Sequence, residues 1–85
     1  MTDRVVLVVG GTSGLGLSAA RVLVEAGARV VVTGRSQAKI DLSMDQLGKD
    51  SRGITGDAAT SSAAVAAVAL AVSSFGKLDA LYHVA

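Results

Sequence analysis

The sequence predicts a three-layer α/β unit, β-α-β-α-β-α-β, on a parallel sheet. Val5-Val6-Leu7-Val8-Val9 is an unbroken apolar run, and Val30-Val31-Val32 repeats it. Such runs, without polar alternation, suit strands covered on both faces. Glycines close the first run and a helix-forming segment follows at once, as where an open α/β sheet meets a ligand. Helical segments then separate four strand candidates by short loops, and right-handed crossovers give the strand order 3-2-1-4.

The first strand spans about Arg4 to Val9 and the first helix about Gly14 to Ala26, with Leu15, Ala19, Val22, Leu23 and Ala26 as its buried stripe. Gly27 suits the left-handed residue that stops a helix. The second strand, Arg29 to Thr33, ends in Gly34-Arg35-Ser36. The second helix runs from Ser36, its N-cap, to Leu47. Ile40, Met44 and Leu47 form its inner face; Lys39, Asp41, Asp45 and Gln46 are solvated. Gly48 ends that helix and Lys49 to Arg52 read as a polar loop. The third strand, Gly53 to Gly56, is short and glycine-weakened, which suits an edge. An alanine-rich third helix covers Thr60 or Ser61 to Phe75, with Val65, Val68, Val72 and Phe75 on one stripe and Gly76 as cap. Ala80 to Ala85 form the fourth strand, where Tyr82 reads as a core or interface residue.

Eighty-five residues make one domain at most, spanning 1–85. A net charge of +1 offers no reason to expect nucleic acid or an anionic membrane as partner. Cysteine is absent and histidine single, which excludes disulfides, thiolate chemistry and multi-histidine metal sites. The longest apolar run, Ala63 to Val72, is too short to span a bilayer, and the N-terminus is a poor signal peptide. A cytoplasmic protein is the expectation.

The glycine spacing narrows the ligand. A G-x-G-x-x-G frame starting at Gly10 fails at Thr12 and Leu15, and no lysine follows to make a P-loop. Gly14, Gly16 and Ala19 match G-x-G-x-x-A only inside the helix. Gly10-x-x-x-Gly14-x-Gly16 fits directly after the strand. Backbone without Cβ there lets N–H groups approach a phosphate, and the positive end of the following helix points the same way. The reading is a dinucleotide pyrophosphate site.

Gly10-Gly11-Thr12-Ser13-Gly14-Leu15-Gly16 resembles the cofactor loop of the short-chain dehydrogenase/reductase family, in which Thr usually stands where this chain has Val9. Phe75-Gly76-Lys77-Leu78-Asp79 resembles that family's entry to the fourth strand. The resemblance covers the whole chain, but about the first third of a typical member, and implies a Rossmann-like fold. It implies that Asp57 accepts from the adenine amino group and that the Ala58 N–H meets the ring. Asp57 also suits a plain turn or cap. His83-Val84-Ala85 stand where the family has Asn-Asn-Ala, near the nicotinamide ribose; His83 reads either as a structural residue or as a cofactor contact.

No Asp or Glu lies between Glu25 and Asp41, where an acid would hold a free ribose 2′-hydroxyl. Arg35 there is either a solvated loop charge or a fork for a 2′-phosphate, with Ser36 as helper; the expected cofactor is NADP(H) rather than NAD(H). The family's chemistry needs a Ser and a Tyr-x-x-x-Lys pair, and Tyr82, the single tyrosine, does not begin one. The chain therefore reads as the cofactor-binding N-terminal part of a short-chain oxidoreductase, truncated or a fragment, and inactive alone. The alternatives are a non-catalytic nucleotide-binding module and a degraded, interaction-only domain. Strands needing cover on both faces also imply an apolar patch and self-association.

Overall fold

The computed structural model describes residues 3–10, 12, 14–56 and 61–83. Its elements alternate as β1 (Val5–Val9), α1 (Gly14–Glu25), β2 (Arg29–Gly34), α2 (Gln37–Leu47), β3 (Ser51–Thr55), α3 (Ser61–Phe75) and β4 (Ala80–His83). The sheet is parallel in order β3-β2-β1-β4. Val9 is paired with Thr33 on one side and His83 on the other, so three strands end level at the glycine loop.

Successive side chains on β1 and β2 go to opposite faces, which is why an unbroken apolar run is needed. Val6, Val8, Val30 and Val32 pack with Ala20, Ile40 and Leu47 beneath α1 and α2. Val5, Leu7 and Val31 pack with Ala67 and Ala71 beneath α3. Helix ends follow the glycines. Gly27 has φ 95°, its N–H donates to Val24 O at 3.0 Å, and Ala28 N–H donates to Leu23 O at 2.9 Å. That pair of bonds closes the α1 carbonyls as a left-handed C-cap does. Ser36 caps α2 by accepting from Lys39 N–H, and Gly48 ends it at φ 85°.

On α1 and α3 the packed stripe is the expected one only in part: Leu23 and Phe75 pack against the core, but most of each stripe does not. On α1 the buried residues are Gly16 and Ala20, with Leu17, Leu23 and Val24 against the core, whereas Leu15 and Val22 are exposed. On α3, Ala67 and Ala71 are buried while Val65, Val68 and Val72 are exposed. Small residues let a helix settle close to the sheet, and helical spacing alone does not rank one apolar stripe above another. β3 begins earlier than expected, at Ser51, inside the stretch read as a polar loop. Ser51 is buried because its hydroxyl donates to Gly48 O at 2.6 Å. Tyr82 is not a core residue: β4 is a sheet edge and its four residues are exposed.

The start of β4 is locked to β1 by Asp79. Val5 N–H donates to Asp79 Oδ2 at 2.8 Å, and Asp79 N–H donates back to Val5 O at 2.9 Å. Lys77 Nζ lies 3.2 Å and Arg4 Nη1 3.8 Å from the carboxylate. The Val5 N–H bond, aided by Lys77 and Arg4 and opposed by partial burial, holds the Asp79 carboxyl below the usual carboxylate range. Phe75 and Leu78 pack against the α3-side core, and Arg29 and Arg52 stack over the Phe75 ring at 5.7 and 5.2 Å. Each recognisable residue of the Phe75-to-Asp79 segment thus has a structural job.

Candidate cofactor site

The carboxyl end of β1 turns at Gly10, φ 85°, and α1 opens at Gly14, φ 57°. Both angles lie in the left-handed region that disfavours a side chain. Nothing lies within 4 Å of the position a Gly14 β-carbon would take, so the backbone there borders open space. The first N–H groups of a helix have no intrahelical partner and carry the positive end of its dipole. The chemistry of the place suits a phosphate, and Gly16, buried in the first turn, keeps α1 against the sheet.

The second strand holds the loop from below. Gly10 N–H donates to Thr33 O at 3.1 Å and to Thr33 Oγ1 at 3.3 Å. A β-carbon on Gly34 would meet Thr12 Oγ1 at 2.6 Å and Thr12 Cγ2 at 2.7 Å, so glycine there seats the Thr12 side chain. From α2, the Ser43 hydroxyl donates to Lys39 O at 2.8 Å and lies 3.3 Å from Thr12 O. Thr33 and Ser43 were not legible as site residues. The available signal was a hydroxyl in the otherwise aliphatic second strand, directly before Gly34.

Of the residues expected to touch cofactor, Gly10, Thr12, Gly14, Leu15 and Gly16 gather at the β1–α1 junction, and Gly34, Arg35 and Ser36 stand beside them at the end of β2. Arg35 is exposed. Leu15 is 77% exposed on the first turn of α1. His83 ends β4 and lines, with Leu7, Val9, Thr33 and Leu81, a mainly apolar cavity of about 250 Å³ beneath α3. Ser13, Asp57, Ala58 and Ala85 lie outside the described residues. No helix among the described residues is long and apolar enough to cross a membrane.

Known proteins are similar to this chain in sequence and in fold. A family model for short chain dehydrogenase matches residues 4–85. Ipsdienol dehydrogenase of Ips pini is 37% identical over 83 residues, which cover 98% of this chain and 31% of that protein. A-factor type gamma-butyrolactone 1'-reductase (1S-forming) of Streptomyces virginiae is 35% identical over 86 residues, 98% of this chain and 34% of that one. Among solved structures, an actinorhodin polyketide ketoreductase variant with NADPH superposes with a TM-score of 0.89 at 35% identity, covering 96% of this chain and 33% of that one. A short chain dehydrogenase from Bacillus anthracis gives 0.86 at 27% identity, covering 93% and 34%. The chain spans about a third of the length of the curated relatives it matches. The family match, the relatives and the superposed folds agree: this chain belongs to the short-chain dehydrogenase family.

Proposed function

We propose that these residues hold NADP(H) for a short-chain oxidoreductase. One observation carries the reading: a loop with left-handed glycines at 10 and 14 borders open space at the end of β1, with Gly34-Arg35 beside it. Gly10 to Gly16 and the first turn of α1 would take the pyrophosphate. Arg35, helped by Ser36, would take the 2′-phosphate. Asp57 and Ala58 would meet the adenine, and His83 and Ala85 the nicotinamide side. The cofactor supplies the hydride; these residues bind and orient it.

The proton partner is a separate matter. This sequence contains no Tyr-x-x-x-Lys pair, so the 85 residues alone should reduce no carbonyl and oxidise no alcohol. General acid–base help is typically worth about 10²–10⁴-fold. A cytoplasmic setting and self-association through an uncovered sheet face belong to the same reading.

The test is a pair of titrations, NADPH and NADH, on the chain and on Arg35→Ala, with a carbonyl-reduction assay alongside. A charged hydrogen bond contributes roughly 1.5–3 kcal/mol, so NADPH should bind about ten- to a hundredfold tighter, and the substitution should collapse that ratio. Equal affinities in the parent, or an unchanged ratio in the variant, reject Arg35 as the selector. Robust turnover rejects the inactivity.

A further inference from the structure

Thr33 and Gly34, the last residues of β2, act on the glycine loop in different ways, and Arg35 follows them. Arg35 stands at the rim, Gly34 seats the Thr12 side chain, and Thr33 grips the Gly10 amide through both its carbonyl and its hydroxyl. Thr33 is 6% exposed, and Val9, its register partner on β1, offers no hydroxyl. The Gly10 N–H is shared between two acceptors of one residue, at 3.1 and 3.3 Å, where the chain leaves the sheet and turns to φ 85°. A shared hydrogen bond fixes the direction of that peptide more tightly than the carbonyl alone.

We propose that Thr33 is a positioning residue for the phosphate loop: its buried hydroxyl sets the turn at Gly10, where β1 runs into that loop. The proposal rests on the reading of the loop as a cofactor site. It separates two duties within one tripeptide. Arg35 acts on the part of the cofactor that differs between NADPH and NADH. Thr33 acts on the pyrophosphate, which the two share. Loss of the hydroxyl therefore weakens both cofactors equally and leaves their ratio unchanged.

Thr33→Val keeps the shape and the β-branching, which suits a buried strand position. Thr33→Ser keeps the hydroxyl. The experiment compares both with the parent chain by hydrogen exchange at the Gly10 amide, by thermal melting, and by titration with NADPH and with NADH. Thr33→Val is expected to speed exchange at Gly10, to weaken both cofactors about three- to tenfold, and to keep their ratio. Thr33→Ser restores slow exchange and affinity. Unchanged exchange in Thr33→Val, or equal damage in Thr33→Ser, overturns the proposal and leaves Thr33 as packing. Faster exchange with undiminished cofactor affinity also overturns it. A parent that binds neither cofactor refutes the cofactor reading instead, while the exchange rates still decide whether the hydroxyl holds the loop.

Discussion

Leu7 and Leu81 face each other across the β1–β4 ladder, yet Leu7 is fully buried and Leu81 is 56% exposed. Leu7 has β2 on its other side and α3 above it; Leu81 has β1 on one side and the sheet edge on the other. The same contrast separates the two edges of the sheet. β3 bears Arg52 and Thr55, exposed polar residues suited to an open edge, whereas β4 is Ala-Leu-Tyr-His. Beside β4 an apolar groove of about 580 Å³ runs between Leu15 and Val22 of α1 and Tyr82. Across this ladder the burial of a leucine is set by whether its strand has a second neighbour and a covering helix.

The largest expected effect tests that statement. Leu7→Ala should lower stability to urea by about 2–5 kcal/mol, because it empties a closed site. Leu81→Ala, across the same ladder, should lose about 1 kcal/mol or less. Equal losses would show that β4 is as enclosed as β1.

Asp79 joins the two strands, and its effect should depend on pH. A carboxyl whose folded-state pKa is depressed contributes stability above its unfolded pKa and loses it as pH falls through the folded value. Asp79→Asn retains an oxygen for the Val5 N–H but no charge. The parent should therefore lose more urea stability than the variant between about pH 5 and pH 2. Parallel pH profiles for the two proteins would exclude Asp79 as an acid-sensitive clamp.

How far the sequence reached follows from the same contrast. The two valine-rich runs specified central strands, and the right-handed crossovers specified the strand order 3-2-1-4. Gly10, Gly14, Gly27, Gly48 and Gly76 all take the positive φ that makes glycine informative. What failed was the choice between stripes. Ala67 and Ala71 win over Val65, Val68 and Val72 because closeness to the sheet favours the smaller side chain, a tertiary fact that helical periodicity does not carry. Ser51 and Thr33 were illegible for a related reason. Each is polar and buried, and each is satisfied by a partner supplied by the fold: Gly48 O for Ser51, the Gly10 N–H for Thr33.

Val22 is 64% exposed at the groove, so Val22→Lys should change stability by no more than about 0.5 kcal/mol. It should also reduce association in a sedimentation series and lessen binding of an apolar-surface dye. A large stability loss would mean that the α1 groove face is already covered.

The central claim, that the β1–α1 loop holds a dinucleotide, is tested most directly by titrating the isotopically labelled chain with NADPH and following its amide signals. Saturable shifts are expected at Gly10, Gly14, Gly16, Gly34 and Arg35, all with one dissociation constant, with little change at Val22 or Tyr82 across the groove. Shifts confined to the groove, or no saturation at the glycine loop, would contradict it.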